Sequence, residues 1–566
     1  MANLKIVIIG GVACGCKAAS RARRKDPTAD ITIIEKGANI SYAGCGLPYF
    51  IAGAVPEIDH LMSTSYGCLR DSNFFESVKA VKVRVNTEAL SIDRKRKTVK
   101  VVDCDTNNED EISYDKLVIA TGALPVVPPF EGINLKQVWT LRRPEDARAL
   151  RETIEAGNAD RVTIVGGGRI GLEVADAFGA QAVETTVVEL ADQVMPGVVD
   201  RDIGDYIANV LRGEKVNLKL GEKVLKFEGD DNGKVCRVIT DKSVIETDAV
   251  LVSVGVRPNV QLAKDAGLEI GPTGAIAVNE HMRTSDPDIY AGGDCVESTN
   301  LVSGKKSWVP LGSTANRHGR VIGDNVTGGN SVFPGIVGTS IMKTLGISVG
   351  RTGLTEEEAK KLGFDTVVSV SPGPDRSHFF PGGKGILVKL VVDRKSRKVL
   401  GVQVAGPGDV VRRIDVVATL LTFGGKLEDL AELDLAYAPP FSAAMDNLHH
   451  AANIIRNKLD GLMDGIHPSQ VREKMLAGDD FAIVDVRLRG EFEKAKIEDA
   501  RVVNIPLDEI RKRENDIPKG KNIFVLCQLG ARAYEGARTI MGLGADKVKV
   551  IEGGLNFWNS IKPSNR

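Results

Sequence analysis

The sequence predicts an α/β protein with two separate nucleotide-binding units of the Rossmann type and further domains behind them. Twice along the chain an apolar, β-branched run meets a glycine-rich turn and continues into a helical pattern, at LKIVIIGGVACGCKAASRARR and at RVTIVGGGRIGLEVADAFGA. A second strand-like run follows each unit and ends in a glutamate, Glu35 or Glu189. At 566 residues the chain is too long for one core, so three or four domains are expected.

The first unit is a degenerate βαβ dinucleotide fingerprint, in which a tight turn places a pyrophosphate over a helix N-terminus and an acid binds the ribose. Gly10 and Gly15 hold the outer glycine positions, but Val12 replaces the middle glycine. Alone, this turn leaves an ordinary strand-turn-helix unit as the alternative. The predicted nucleotide contacts are Gly10, Val12, Ala13, Gly15, Glu35 and Lys36.

The second unit satisfies the fingerprint in full with Gly166, Gly168 and Gly171. The strand TTVVEL after it ends in Glu189, whose carboxylate can accept hydrogen bonds from both ribose hydroxyls of NADH. The same charge would repel the additional phosphate of NADPH. The second unit is therefore predicted to bind NADH.

Composition and charge exclude several classes of function. Hydrophobic residues make up 43% of the chain and the formal net charge is -1, so no overall basic field favours nucleic acid or membrane binding. The opening apolar run is too short to span a membrane and lacks the features of a signal peptide, which indicates a first strand and a cytoplasmic protein. The eight cysteines form no CxxC pair and no zinc-like cluster, so no metal site is predicted.

Further motifs carry a resemblance to a known family. DKLVIATGALP contains Ala120, Thr121 and Gly122, TSDPDIYAGGDC contains Gly293 and Asp294, and VGVRPN occupies residues 254–259. With the two glycine turns, these segments resemble the pyridine nucleotide-disulfide oxidoreductase family over residues 1 to about 455. The resemblance implies that the first nucleotide is FAD, with the Asp294 carboxylate holding its ribitol chain, and that hydride passes from NADH to the flavin and then to Cys45.

The resemblance also implies the domain organisation. A discontinuous FAD-binding domain is expected at 1–118 and 250–328, and an NADH-binding domain at 119–249. An α+β dimerisation domain is expected at 329–455, so the protein is predicted to be a homodimer with shared active sites.

The segment SYAGCGLPYF places Cys45 between two glycines, without the second cysteine of the CxxxxC pair found in glutathione-reductase-like members. A single sulfur can hold oxidising equivalents only as a mixed disulfide, a persulfide or a sulfenic acid. The flanking glycines allow the thiol to approach a flat ring, and a helix beginning near Leu47 is expected to favour the thiolate. The alternative is a buried cysteine in a glycine-rich turn.

SYAGCGLPY resembles the single-cysteine branch that contains coenzyme A-disulfide reductases, persulfide reductases, and NADH oxidases or peroxidases. Basic residues of the first helix recur on one face, which suits the phosphates of coenzyme A; a solvated basic face is the alternative. Gly44 departs from the pattern, because some members have Asn there. The resemblance implies a coenzyme A site formed by Lys17, Arg21, Arg24, Ser41, Asn316 and Arg320.

Tyr437 fills the place of the family's catalytic-side tyrosine, and its phenol could donate a proton or hydrogen bond to a leaving sulfur. A core tyrosine is the alternative. In SHFFPGG (377–383), Phe379 and Phe380 stand where relatives often have a tyrosine, which argues against a mechanism with two tyrosines.

A new pattern of strands and helices begins at about residue 460. Cys527 ends an apolar strand and opens CQLGAR, whose backbone N–H groups and following helix could stabilise an anion or persulfide; a cysteine that caps a core strand is the alternative. DVR at 485–487, NIP at 504–506 and CQLGAR resemble a single rhodanese domain over 460–566, which implies a carrier of sulfane sulfur. The predicted rhodanese loop consists of Cys527, Gln528, Leu529, Gly530, Ala531 and Arg532.

The fusion of a sulfur carrier to a single-cysteine flavoprotein suggests that sulfane sulfur is the substrate. The hypothesis is a FAD-dependent NADH:persulfide or polysulfide reductase in which Cys45 attacks the substrate, Cys527 handles sulfur upstream, and coenzyme A is a bound substrate or shuttle. Under this hypothesis, protein sulfur donors are a further class of partner. Two alternative functions are compatible with the sequence. One is an NADH oxidase or peroxidase that cycles Cys45 through sulfenic acid, and the other is a sulfur-trafficking or sensing protein that is not catalytic.

Overall fold

The structure is a computed structural model that describes residues 3–561, so the outermost residues of the predicted domain bounds, 1, 2 and 562–566, lie outside the described part. The chain divides into two compact units. Within the described part, one contains residues 3–192 and 216–336, and the other contains residues 193–215 and 337–561. The predicted α/β class with two Rossmann-type domains, a dimerisation domain and a rhodanese domain is confirmed.

The first nucleotide-binding sheet is parallel and is built around the opening apolar strand of the sequence. The apolar residues of its central strands are nearly fully buried because helices and loops cover them, as expected for a parallel sheet. In spatial order the strands are Ile289–Ala291, Lys116–Ile119, Lys5–Ile9, Asp30–Ile34 and Lys82–Arg84. The accompanying helices are Ala13–Lys25, Leu47–Ile51, Ser72–Lys79, Gln261–Asp265 and Gly312–Asn325.

The second nucleotide-binding sheet repeats this parallel design, with helices Pro144–Glu155 and Arg169–Ala180. Its strands in spatial order are Asn217–Leu220, Glu184–Glu189, Arg161–Val165, Ala249–Val252 and Val138–Trp139. The pairing of Ala249–Val252 with Arg161–Val165 assigns these residues to the second sheet, a few positions beyond the expected boundary at 249.

Small antiparallel sheets complete this unit. One covers the first nucleotide-binding domain with strands Thr87–Asp93, Thr98–Asp103 and Glu109–Ser113, and another contains Val224–Gly229, Val235–Thr240 and Val244–Glu246. The two-stranded ribbons are Ala123–Pro125 with Val256–Pro258, and Ser298–Thr299 with Lys306–Ser307.

The other unit contains an antiparallel sheet with helices on it. In spatial order its strands are Ser340–Thr344, Ile347–Gly353, Val399–Gly406, Gly385–Asp393 and Thr366–Pro374. The helices are Glu356–Lys361, Val411–Thr422, Leu427–Ala431 and Asn447–Leu459, together with Arg201–Gly213 from the segment 193–215.

A buried charge cluster explains why residues 193–215 group with this sheet. The ammonium of Lys389 lies 3.2 Å from a carboxylate oxygen of Asp200, 2.8 Å from Asp202 and 2.9 Å from Glu356. His467, at the start of the last domain, lies 3.7 Å from the same Asp202 oxygen. Removing one partner from such a cluster would leave a buried charge uncompensated, so it fixes these segments to one another.

The last domain is a five-stranded parallel sheet with apolar clusters on both of its faces. Its strands in spatial order are Gly465–Ile466, Val548–Ile551, Asn522–Leu526, Phe481–Asp485 and Val502–Asn504. The helices are Pro468–Leu476, Arg489–Lys494, Ala531–Gly542 and Gly554–Ser560.

Candidate functional site

The two glycine turns have the same backbone construction. A Cβ on Gly10 would lie 2.1 Å from the carbonyl oxygen of Ala120, and one on Gly166 would lie 2.3 Å from the carbonyl oxygen of Ser253. Both glycines also have positive φ angles, +108° and +111°. Each turn thus requires glycine where a neighbouring strand passes close by, and each leads into a helix whose N-terminal N–H groups suit a pyrophosphate.

The acids after the turns are held in matching ways. A carboxylate oxygen of Glu35 accepts the N–H of Gly11 at 2.8 Å, and one of Glu189 accepts the N–H of Gly167 at 2.7 Å. In both cases the other oxygen accepts the main-chain N–H two residues beyond the acid. The carboxylates are therefore fixed beside the turns, with oxygen lone pairs left for hydroxyl donors. Lys36 is exposed and forms an ion pair with Glu88 at 2.8 Å.

The structure brings together the flavin motifs that are far apart in sequence. The strand Ala123–Pro125 after Thr121 and Gly122 pairs with Val256–Pro258 of VGVRPN, and the Thr121 hydroxyl donates to the carbonyl oxygen of Asn259 at 2.6 Å. The strand Ile289–Ala291, which leads to Asp294, pairs with the strand that leads to Ala120. These contacts assemble one edge of the first nucleotide-binding domain.

Three hydrogen bonds with residues 308–318 hold the Gly293–Asp294 turn in place. The N–H of Gly293 donates to Nδ1 of His318 at 3.2 Å, the indole N–H of Trp308 donates to the Asp294 carbonyl oxygen at 2.8 Å, and Leu311 donates its N–H to the Asp294 carboxylate. His318 is 1% exposed, and burial lowers its pKa to about 3, so the imidazole is neutral. Because Nδ1 accepts, Nε2 carries the proton and faces the Ser298 hydroxyl at 3.3 Å.

These features fit FAD. The first turn offers backbone donors at the start of a helix, Glu35 is fixed at the ribose position, and Gly122 has open space where a side chain would stand. Burial raises the pKa of the Asp294 carboxyl, as expected for a group that requires a further polar partner. FAD when bound would be held by these groups, and Gly166, Gly168 and Glu189 would hold the nicotinamide nucleotide.

The structure gives Cys14 and Cys16 packing roles that the sequence did not reveal. A Cβ on Gly292 would lie 2.8 Å from the Cys14 sulfur, so this thiol fills the space below the second flavin motif. The Cys16 thiol donates to the carbonyl oxygen of Gly11 at 3.0 Å, beneath the first turn. Burial raises the pKa of both thiols, that of Cys16 to about 12, so neither is a nucleophile. Cys295 is also buried and donates to the carbonyl oxygen of Gly292 at 3.3 Å.

Cys45 lies in a single 3₁₀ turn, Gly44–Gly46, directly before the short helix Leu47–Ile51. The residue is exposed, which excludes the alternative of a buried structural cysteine. A Cβ on Gly312 would lie 3.9 Å from the Cys45 sulfur, so the thiol also faces the start of the longer helix Gly312–Asn325. A Cβ at position 312 would be in ordinary van der Waals contact with the sulfur.

The expectation that the protein favours the Cys45 thiolate is not supported by the groups of the chain itself. Partial withdrawal of the sulfur from water raises the pKa of the Cys45 thiol, and the nearby carboxylates of Glu173 and Asp294 raise it further, while Arg169 lowers it. The helix after the cysteine has only five residues, so its dipole is small.

Glu173 is a site residue that the sequence reasoning missed. It lies in the helix Arg169–Ala180, two residues after the last fingerprint glycine, and it interacts electrostatically with both Cys45 and Tyr49. Burial raises the pKa of its carboxyl to about 7. An acid directly behind the fingerprint, in RIGLEV, was the available signal.

All of the predicted coenzyme A residues except Ser41 lie on the two helices Ala13–Lys25 and Gly312–Asn325, which contact each other closely. A Cβ on Gly319 would lie 2.8 Å from the Cβ of Lys17, so the two helices approach each other closely at these two residues. Asn316, Arg320 and Arg24 are exposed. Arg21 is not a free cation, because its Nε donates to Asp324 at 2.6 Å. Ser41 has a φ of +54°, a conformation that non-glycine residues adopt mainly at functional or strained sites.

In the second unit, Tyr437 is 51% exposed, so it is not a core tyrosine within the chain. Phe379 and Phe441 are exposed at 67% and 70%. Large aromatic side chains at such exposure in a dimerisation domain are typical of surface that a partner covers.

The cysteine loop of the last domain, residues 527–532, holds its sulfur in a backbone cradle. Cys527 is buried, and its sulfur accepts the N–H of Gly530 at 3.1 Å. Gly530 has a φ of +117°, which turns its N–H toward the sulfur and requires glycine. The twelve-residue helix Ala531–Gly542 begins directly after Gly530, within the loop. Main-chain donors and a helix N-terminus together suit an anionic sulfur.

Comparison with known proteins agrees with this geometry. The family model described as pyridine nucleotide-disulphide oxidoreductase matches residues 4–319, its dimerisation domain matches residues 340–449, and a rhodanese-like domain matches residues 468–561. The chain belongs to the pyridine nucleotide-disulphide oxidoreductase family. It is accordingly a FAD-dependent oxidoreductase that uses a nicotinamide nucleotide.

Several relatives share most of the chain. The NAD(P)H coenzyme A polysulfide/persulfide reductase of Pyrococcus horikoshii is 38% identical over 452 residues, which are 80% of this chain and 98% of the relative. The NAD-dependent persulfide reductase from A. fulgidus superposes with a TM-score of 0.93 at 44% identity and covers 98% of this chain and 100% of its own. The Bacillus anthracis structure named CoADR-RHD superposes at 0.92 with 34% identity, covering 99% and 98%. Among residues 3–561 no helix is long and apolar enough to cross a membrane.

Proposed function

We propose that this oxidoreductase reduces persulfides, with coenzyme A persulfide or coenzyme A disulfide as the favoured small-molecule substrates. The observation that carries this proposal is the presence in one chain of two different single cysteines. Cys45 is exposed beside the flavin motifs, and Cys527 is buried in a cradle for sulfane sulfur. Relatives that share both parts are named persulfide reductase and CoADR-RHD, which supports the assignment.

The proposed chemistry begins at Cys45. Its thiolate attacks the inner sulfur of a persulfide, R–S–SH; a new S–S bond forms, the original S–S bond breaks, and hydrosulfide leaves with the electron pair. FAD, when bound, would supply the two electrons that reduce the resulting mixed disulfide between Cys45 and R–S; R–S⁻ would leave and the Cys45 thiolate would be restored. We further propose that the protein is a homodimer with shared active sites, in which the Tyr437 phenol donates a proton or hydrogen bond to the leaving sulfur.

The remaining site assignments are part of this proposal. Lys17, Asn316 and Arg320 are proposed to contact coenzyme A, Arg24 to add positive charge, and Ser41 to line the site. Because Glu189 is fixed beside the second turn, we propose a preference for NADH, although relatives are named for both nucleotides. The predicted domain bounds, the homodimer and the cytoplasmic location remain predictions.

The decisive experiment measures NADH oxidation and sulfide release with coenzyme A persulfide, glutathione persulfide, polysulfide and coenzyme A disulfide. We expect stoichiometric sulfide release from the persulfides, and mass spectrometry of the purified protein will show whether coenzyme A is retained. Steady NADH consumption with oxygen or peroxide alone, unaffected by persulfide, would instead support the NADH oxidase or peroxidase rival. Absence of turnover with every acceptor would support a trafficking or sensing role.

A further inference from the structure

The segment that follows Cys45 lies beside a helix of the second nucleotide-binding domain. The short helix Leu47–Ile51 contacts the longer helix Arg169–Ala180. Directly after the two helices, the Gln181 side-chain amide donates to the carbonyl oxygen of Ala52 at 3.0 Å. The C-terminal ends of the short and the long helix are therefore held together.

Electrostatic contacts occur in the same order along the two helices, so both helices run in the same direction. In the middle of the short helix, Tyr49 interacts with Glu173 and Asp176. Cys45, which precedes the short helix, interacts with Glu173 and with Arg169, the first residue of the long helix. The Cys45 thiol therefore lies beside the first turn of the long helix. Burial raises the pKa of the Tyr49 phenol, so this neighbour is uncharged near neutral pH.

The charged neighbours of Cys45 act on its thiol in opposite directions. Burial raises the pKa of the Cys45 thiol, and the carboxylates of Glu173 and Asp294 raise it further. Arg169 lowers it. The helix Gly312–Asn325 also faces the sulfur, but its first turn is uncharged. Among these neighbours, Arg169 supplies the positive charge.

Arg169 and Glu173 are one helical turn apart, at the i,i+4 spacing at which side chains interact. Burial raises the pKa of the Glu173 carboxyl to about 7, and Arg169 opposes this rise. The carboxyl is therefore protonated in about half of the molecules at pH 7, whereas an arginine stays charged. The positive charge of Arg169 consequently acts on both neighbours, Glu173 and the Cys45 sulfur.

We propose that Arg169 is a positioning residue of the redox site, whose guanidinium stabilises the Cys45 thiolate directly from the first turn of the nucleotide-binding helix. The proposal rests on the proposed function, in which Cys45 is the redox thiol. It names the group of the chain that promotes the nucleophile, since the thiolate is the reactive form of cysteine. It also links the thiol to the nucleotide domain, because Arg169 directly follows the fingerprint glycine Gly168.

The test follows alkylation of Cys45 by iodoacetamide between pH 6 and 9 in the full-length holoenzyme without NADH. Mass spectrometry of the Cys45 peptide separates this reaction from that of other exposed thiols. In Arg169→Gln the rate at pH 7.5 should fall about fivefold to tenfold, because a smaller fraction of the thiol is ionised. Arg169→Lys keeps the positive charge and should stay within about twofold of the wild type. Added salt should reduce the difference between Arg169→Gln and the wild type.

Arg148→Gln is the matched control. Arg148 is exposed on the helix Pro144–Glu155, and its replacement changes the net charge by the same amount. Its alkylation profile should equal that of the wild type. Retained flavin absorbance shows that each variant is folded.

A double variant separates a direct effect of Arg169 from one that passes through Glu173. If Arg169 acts directly, Arg169→Gln should slow alkylation by a similar factor in the wild type and in Glu173→Gln. An effect that disappears in Glu173→Gln would overturn the proposal. So would an Arg169→Gln profile equal to the wild type, or an Arg169→Lys protein as slow as Arg169→Gln.

Turnover of persulfides is measured on the same proteins. A wild-type Cys45 that is alkylated as expected but supports no persulfide reduction would refute the proposed function and not the role of Arg169.

Discussion

The two single cysteines of this protein lie in opposite environments. Cys527 is buried, its sulfur accepts a main-chain N–H, and the neighbouring ion pairs cancel in charge. Cys45 is exposed, and its strongest charged neighbours, Glu173 and Asp294, are carboxylates that raise the pKa of its thiol. The groups of the chain therefore stabilise an anionic sulfur at Cys527. At Cys45 they disfavour the thiolate, so this thiol requires groups from outside the chain to become ionised.

This difference separates the storage of sulfur at Cys527 from its reduction at Cys45. A carrier must hold a persulfide without reacting further, and a fixed backbone cradle in a closed loop serves that purpose. A redox site must exchange electrons, so its sulfur must be reachable by the flavin and by the substrate. Four predictions test this division, beginning with the largest expected effect.

Cys45→Ser should abolish NADH-driven sulfide release, by at least about 10³-fold, because Cys45 is an exposed thiol that interacts with Asp294 of the second flavin motif. Stopped-flow spectra should still show flavin bleaching by NADH, since the nucleotide sites are untouched. Sulfide release that persists in the variant would show that Cys45 is not the redox thiol.

Cys527→Ser should reduce turnover of bulky or protein-borne persulfides at least about tenfold while small disulfides remain good substrates. The measurement is NADH oxidation with each class of acceptor, and coenzyme A disulfide serves as the internal control. An equal loss on every acceptor would refute the division into a carrier and a redox site.

His318→Leu should weaken FAD binding roughly tenfold, because the N–H of Gly293 loses its acceptor, at a cost of about 1–3 kcal/mol. Burial lowers the pKa of folded His318 to about 3, whereas an unfolded histidine titrates near 6.5. The unfolded state therefore binds the extra proton first, and this contribution to stability is lost as the pH falls from about 6.5 toward 3.

The measurements for His318 are FAD dissociation, followed by flavin fluorescence, and urea unfolding between pH 7.5 and about 4. The variant should be less stable than the wild type at pH 7.5, and the difference should shrink on acidification. A difference that is constant across this range would show that the buried imidazole is not neutral in the folded protein.

Glu173→Gln should give the smallest effect, a displacement of the Cys45 titration to lower pH. The Glu173 carboxylate raises the pKa of the thiol, and burial raises the pKa of Glu173 itself to about 7, so its influence acts mainly above that pH. Iodoacetamide alkylation of Cys45 against pH measures the change. Glu152→Gln, at an exposed helical position, is the control, and an identical displacement there would exclude a local effect.

Much of the fold and of the candidate site could be predicted from the sequence because residues close together in the chain determine it. Glycines at fixed spacing, an acid at the end of the next strand and an apolar run before each turn predict the two Rossmann-type units, and the structure confirms them. Cys45 and Cys527 were likewise identifiable from their neighbours in the chain. Short-range backbone requirements, such as the positive φ of Gly10 and Gly166, leave a direct mark on the sequence.

Only the tertiary structure shows which charged groups from distant segments contact each other. Arg21 appeared to be a free cation of a basic helix face, but Asp324, about 300 residues away, binds it. Burial raises the pKa of Cys45, Glu173 and Asp294 from two other segments raise it further, and Glu491 neutralises Arg532 across the rhodanese loop. Electrostatic interactions depend on distance in space and on burial, and neither follows from spacing along the chain. The sequence by itself determined which groups this protein carries, and only folding decided which of them remain free to react.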